Sequence, residues 1–338
     1  MARMELPVSS SDILAALTPI WQSALQRSPV GVEDNFFDLG GDPAAAARIF
    51  SEVAKAGGPN LPPFVIFQTP TLASMASFLT RAPHPQFSPL VALKPGAAGP
   101  PVFITHGIAG HLMEFFELVR HTSTSQPIYG MQTRGMDGVT QPFDRIEDMA
   151  EYFLGAVKSI QPHGPYFLIG YSLGGLVTLE MARRLSESGE RIALLALLDS
   201  YPHRTALSWP QRTHLLARLT KHHLASAARR LLPALSPSRA GATEDWREFE
   251  LLYPAMRPVR ECSALALARY RPRYYPGTIR FVRAEVSTVF PADPLPVWGP
   301  LVKEFVGETA PGDHHGILKA HFRELASILS RYLQETRK

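Results

Sequence analysis

One cysteine among 338 residues leaves this chain without a disulfide framework and without the clustered thiols that hold metal ions. Cys262 therefore reads as a small apolar residue. Long apolar runs are missing too: no stretch approaches the ~20 residues of a membrane span. Met1-Ala2-Arg3-Met4-Glu5 lacks the apolar core of a secretory signal. The expectation is a cytoplasmic protein with no membrane partner. Twelve histidines do not amount to a metal site, because His222-His223 and His314-His315 are sequence neighbours and no H-E-x-x-H occurs. Acid is absent from one long segment. Between Ser200 and Thr243 stand seven bases, Arg204, Arg212, Arg218, Lys221, Arg229, Arg230 and Arg239, and no Asp or Glu. Such a segment is a solvated face, a docking surface for an acidic partner, or a membrane or nucleic-acid patch. No recognition motif supports nucleic acid.

What is present begins with Tyr166-Phe167-Leu168-Ile169-Gly170-Tyr171-Ser172-Leu173-Gly174-Gly175, an apolar strand ending in G-x-S-x-G. The helical pattern from Leu176 to Ala182 follows at once. A strand that reverses into a helix this tightly leaves no room for a Cβ at Gly170 or Gly174. The strained turn lifts the Ser172 hydroxyl clear of the sheet, as in a nucleophile elbow. A serine hydroxyl is a weak nucleophile at neutral pH, so a base and an orienting acid are required, in chain order Ser, Asp/Glu, His. Asp199 ends the next apolar run, Ile192 to Leu198, and carboxyl ends of parallel strands are where such sheets place their sites. His314, in the polar loop Gly312 to Gly316 before a final helix over Ile317–Leu333, is the preferred base. His315 beside it stays open as an alternative. Glu285, ending a strand over Thr278–Glu285, is a rival acid. The oxyanion hole is expected from the N–H of Leu173 and that of Ile108, in the turn after Val102-Phe103-Ile104-Thr105. His106 precedes Ser172, in the wrong order for a base, and is expected to hold that loop by a hydrogen bond.

From Pro101 onward the chain resembles the type I thioesterase domains of nonribosomal peptide and polyketide synthases. The resemblance rests on Ile128-Tyr129-Gly130-Met131-Gln132-Thr133-Arg134-Gly135-Met136-Asp137-Gly138, on Gly164-Pro165-Tyr166 before the elbow, and on Leu198-Asp199-Ser200-Tyr201-Pro202. It implies an α/β hydrolase with a helical lid, about 203–268. It also implies a serine thioesterase that takes an acyl or peptidyl chain from a pantetheine thioester and releases it to water or to an internal nucleophile. Asp199 is supported as the acid by the same match.

A Pro/Gly-rich stretch over 83–100 reads as linker. Ahead of it, 1–82 shows three helical stretches, Ile13 to Leu25, Ala44 to Val53 and Leu72 to Leu79, the pattern of a small all-α bundle. Val32-Glu33-Asp34-Asn35-Phe36-Phe37-Asp38-Leu39-Gly40-Gly41-Asp42 and Phe67-Gln68-Thr69-Pro70-Thr71-Leu72 resemble a peptidyl or acyl carrier protein. Such carriers place a serine directly after Gly-Gly-Asp to receive phosphopantetheine. Here that position is Pro43, or Ala44 if the frame slips by one, and neither has a hydroxyl. Residues 1–80 hold seven acids and four bases, a net −3 that leaves +7 on the remainder of a chain whose total is +4. The expected organisation is a carrier-like domain over 1–82 and a thioesterase over 101–338. The thioesterase needs no cofactor, and its partners are a carrier in cis or in trans and upstream synthetase modules. An editing thioesterase serving a separate carrier and a catalytically idle carrier-binding module stand as alternatives.

Overall fold

The computed structural model describes residues 10–80, 88–207, 209, 213, 254, 256–286 and 290–336. Most of the expected lid, including the bases from Arg212 to Arg239, lies outside the described residues.

In the first domain α1 (Ser10–Leu25) buries Ile13, Leu17, Trp21 and Ala24, one stripe at helical spacing. Against it pack α2 (Pro43–Lys55) and α3 (Leu72–Thr80). A 3-10 turn over Pro63–Phe67 adds buried Phe64, Val65 and Ile66, a piece the helical periodicity does not reveal. Phe36 is fully buried, edge-on to Trp21 with ring centroids 5.7 Å apart. The start of α2 is tightly defined. Asp42 caps it, accepting a hydrogen bond from the Ala45 N–H at 2.6 Å, and Pro43 occupies the first helical position.

The second domain is built on a seven-stranded sheet of order β1-β3-β2-β4-β5-β6-β7. Its strands are β1 (Leu90–Lys94), β2 (Val102–Thr105), β3 (Ile128–Met131), β4 (Tyr166–Tyr171), β5 (Ile192–Leu198), β6 (Tyr275–Val286) and β7 (Val302–Asp313). All neighbours are parallel except β1, which runs antiparallel to β3 at the edge. This strand corrects the expected linker over 83–100. Leu90 and Val91 are buried in the sheet, and the Pro/Gly segment after Lys94 is irregular.

Strands covered on both faces read as unbroken apolar runs. In β4, Phe167, Ile169 and Tyr171 point into one core, with Phe115, Leu118, Leu325 and Leu329. Tyr166 and Leu168 point into the other, with α5 (Ile146–Ile160) and α6 (Leu173–Glu187). The first core receives α4 (Phe116–His121) and is continuous with the apolar interior of the helical domain. At the end of the expected lid segment, α7 (Met256–Arg269) leads into β6, and further on α8 (Leu295–Trp298) leads into β7. The expected final helix is two: α9 (Gly316–Lys319) and α10 (Phe322–Glu335). The break falls where the His321 N–H turns back to the Gly316 carbonyl at 2.9 Å. No helix among the described residues is long and apolar enough to cross a membrane.

Candidate active site

Between β4 and α6 the backbone makes a sharp turn at Ser172, whose φ of 53° and ψ of −121° lie where a residue with a Cβ is strained. The turn is possible because its flanks are glycine. A Cβ on Gly170 would lie 2.4 Å from the Gly174 carbonyl oxygen, and one on Gly174 would lie 2.4 Å from that of His106. The Ser172 N–H donates to the Leu198 carbonyl at 2.9 Å, tying the elbow to the end of β5.

The end of β5 presents Asp199, which is 2 % exposed. Its own N–H donates to Val282 at 2.7 Å and its Oδ1 accepts from the Ala284 N–H at 3.0 Å, so β6 grips the carboxylate from the side. The other oxygen, Oδ2, lies 2.7 Å from His314 Nδ1, and His314 Nε2 lies 3.0 Å from Ser172 Oγ. A carboxylate at Nδ1 fixes that nitrogen as the donor and leaves Nε2 free to accept the serine proton. Chain order, strand ends and distances thus bring Ser172, His314 and Asp199 together, with His314 rather than His315 in line. Glu285, the rival acid, is exposed on β6 and does not hold the imidazole.

Two aromatic residues that sequence reasoning left unassigned clamp that imidazole. Tyr171 stacks on it with centroids 4.9 Å apart and planes at 22°, and Phe290 meets it edge-on at 4.9 Å. The Tyr171 hydroxyl also donates to the His314 carbonyl at 2.7 Å, and burial holds that phenol well above its ordinary pKa, so the donor stays protonated. The signal for Tyr171 was its place inside the elbow motif. Phe290 carried none.

Leu173 opens α6, where the first N–H groups have no intrahelical acceptor. Ile108 lies in the turn after β2, a half-buried residue between buried Gly107 and Ala109. His106 is fully enclosed, and its Nδ1 lies 2.7 Å from the Gly107 carbonyl, the expected loop-holding role. Burial lowers its pKa to about 4, so it stays neutral. Glu114 holds the same loop from outside, accepting from the Gly107 N–H at 3.1 Å. Burial pushes this carboxyl up to about 7, against the pull of that hydrogen bond.

A cavity of about 370 Å³ opens beside the site. Asp42, Pro43 and Ala44 of the helical domain line one side, and Glu114, Tyr171 and His315 line the other. The start of α2 therefore points at the neighbours of the serine and the imidazole. The domains meet beside it through Phe37, stacked on Phe116 with centroids 3.8 Å apart, and through an ion pair of 3.0 Å between Asp38 and Arg120.

Comparison with known proteins agrees with this architecture. Residues 100–333 match the thioesterase domain family, and residues 15–79 match the phosphopantetheine attachment site family, which implies a phosphopantetheine arm on a carrier of this kind. Malpibaldin synthetase of Mortierella alpina is 31% identical over 283 residues, 83% of this chain and 5% of that protein. Indigoidine synthase of Dickeya dadantii is 33% identical over 205 residues, 59% of this chain and 14% of that protein. The chain thus spans a small part of the relatives it matches. Among solved structures, a four-domain nonribosomal peptide synthetase with AMP and glycine bound aligns with 98% of this chain and 26% of its own, at TM-score 0.57 and 22% identity. The type II thioesterase YbtT aligns with 74% of this chain and 99% of its own, at TM-score 0.55 and 14% identity. With an α/β-hydrolase sheet, a carrier-type bundle ahead of it and a family match over more than half its length, the chain belongs to the thioesterase domain family, hydrolases of thioester bonds.

Proposed function

We propose that this chain is a serine thioesterase that releases an acyl or peptidyl chain from a pantetheine thioester in nonribosomal peptide or polyketide-type biosynthesis. The observation that carries the reading is the unbroken relay from Asp199 Oδ2 through His314 to Ser172 Oγ, at 2.7 and 3.0 Å. Ser172 Oγ attacks the thioester carbonyl as His314 Nε2 takes its proton. The Leu173 and Ile108 N–H groups receive the oxyanion. The C–S bond breaks, the thiol leaves with the proton from His314, and an ester on Ser172 remains. Water, or a hydroxyl or amine within the chain, then attacks that ester, and His314 returns the proton to Ser172. The first outcome is hydrolysis, the second macrocyclisation.

The helical domain keeps the carrier form, but its attachment position does not fit the phosphopantetheine group. Pro43 has no hydroxyl, Ala44 has none, and Ser51 lies two turns further along α2. No step is therefore routed through an arm on this chain, and the substrate arrives on another carrier. This favours a second form of the same reading, an editing or release thioesterase working in trans. Turnover of a small acyl thioester tests the chemistry. Ester formation on Ser172 supports it, whereas turnover that persists in Ser172→Ala contradicts it.

A further inference from the structure

We propose that the thioesterase face around Phe116 and Arg120 is a docking surface for a phosphopantetheine-bearing carrier of another polypeptide, and that the chain's own carrier domain sits on it as a tethered competitor. The proposal rests on the reading of Pro43 as a position that cannot be loaded.

The seated domain shows what the face accepts. It places Phe37 flat on Phe116 at 3.8 Å, Phe67 against the same ring at 6.2 Å, and Asp38 on Arg120 at 3.0 Å. Phe37 and Asp38 come from the loop just before α2, so the contact fixes where the attachment position falls. It falls on the cavity shared with Glu114, Tyr171 and His315. Surface and cavity together make a device for delivering something from position 43 to Ser172, yet residue 43 of this chain delivers nothing. An occupant that uses the cavity must offer an aromatic residue beside an acid and, five residues past that acid, a serine carrying the pantetheine thioester. The charges suit such a partner, since residues 1–80 carry a net −3 and the remainder of the chain +7.

The seated domain is also removable. Its ion pair is half-exposed on both sides, Arg120 at 50% and Asp38 at 65%, and pairs of that kind hold weakly. The Phe37–Phe116 stack and the tether then keep the domain in place. A short linker gives a local concentration on the order of millimolar, which an incoming carrier must overcome. Once it docks, the chemistry is the transfer already described: the acyl–sulfur bond breaks, the acyl–Ser172 bond forms, and the thiol departs with the proton.

The test uses two copies of the whole chain. The donor carries Pro43→Ser and Ser172→Ala, is loaded from an acyl-coenzyme A by a pantetheinyl transferase, and cannot unload itself. The acceptor is the parent chain, Asp38→Arg, Phe37→Ala or Arg120→Glu. The expected result is loading of the donor but not of the parent, and unloading of the donor by the parent in trans. Asp38→Arg and Phe37→Ala acceptors should be faster by about threefold or more in kcat/KM, as the competitor loosens, and Arg120→Glu slower. Asp38 is exposed, and a melting transition of Asp38→Arg matching the parent's shows that the variant is folded. Equal rates for all four acceptors overturn the docking surface, as does no trans unloading by a parent that still acylates Ser172 with the small thioester. Loading of the parent, or failure to load the donor, overturns instead the reading of position 43.

Discussion

Two helices in this chain begin where carriers and hydrolases keep their reactive serines, and the two beginnings differ. At α6 the residue before the helix is Ser172, held at a strained φ of 53° by glycines that allow the approach of neighbouring backbone. At α2 the cap Asp42 is in ordinary extended conformation and Pro43 follows at the position where proline suits a helix best. The first start carries strain and has a base 3.0 Å away. The second is relaxed and has no hydroxyl. Strain persists only where surrounding structure enforces it, and here that structure is the sheet end that also holds Asp199 and His314. On the proposed reading, the helical domain keeps what shapes a carrier and what docks it, but not what loads it.

Loss of the reactive hydroxyl at Ser172 has the largest effect. Ser172→Ala should lower turnover of an acyl thioester on the order of 10⁵-fold with an unchanged melting transition, followed by thiol release and calorimetry. Asp199→Asn leaves the shape but spoils the tautomer of His314, and roughly 10⁴-fold loss in kcat is expected. At the flank, Gly174→Ala drives a methyl to 2.4 Å from a backbone oxygen. It should lower stability by about 1–3 kcal/mol in urea unfolding, with activity falling alongside. The corresponding change in the relaxed helix is mild. Pro43→Ser should lower stability by about 0.4–1 kcal/mol or less while making the domain a substrate for a pantetheinyl transferase.

A separate effect, on the pH dependence of stability, concerns Glu114. Its folded pKa is raised from 4.5 to about 7, so near pH 6 the folded chain binds more protons than the unfolded one. Unfolding then releases protons, and rising pH favours it. The contribution is present below about 4.5 and lost as pH climbs through about 7. Glu114→Gln retains an acceptor for the Gly107 N–H and should flatten that part of the stability profile, read from urea midpoints between pH 4.5 and 8.

Much of the site was legible in the sequence because its residues lie at strand ends. A parallel sheet brings the carboxyl ends of β4, β5 and β7 to one side, so an elbow, an apolar run ending in Asp199 and a loop holding His314 already define neighbours. The His314/His315 ambiguity needed coordinates, since adjacent residues differ only in direction. β1 was hidden because Leu90 to Leu93 is a short apolar run inside proline- and glycine-rich surroundings, and an edge strand pairs on one side only. The clamp by Tyr171 and Phe290 and the loop contact from Glu114 join segments with no shared period. The docking of Phe37 on Phe116 joins two domains, and each ring alone reads as ordinary packing.

The most direct test of a working thioesterase beside a blocked carrier is intact-protein mass spectrometry of the parent chain, Ser172→Ala and Pro43→Ser. Each is mixed with a slowly released acyl thioester and, separately, with coenzyme A and a pantetheinyl transferase. An acyl adduct is expected on the parent and on Pro43→Ser but not on Ser172→Ala, and a phosphopantetheine adduct on Pro43→Ser alone. An acyl adduct that survives Ser172→Ala would rule out Ser172 as the nucleophile, and phosphopantetheine on the parent chain would rule out a blocked carrier.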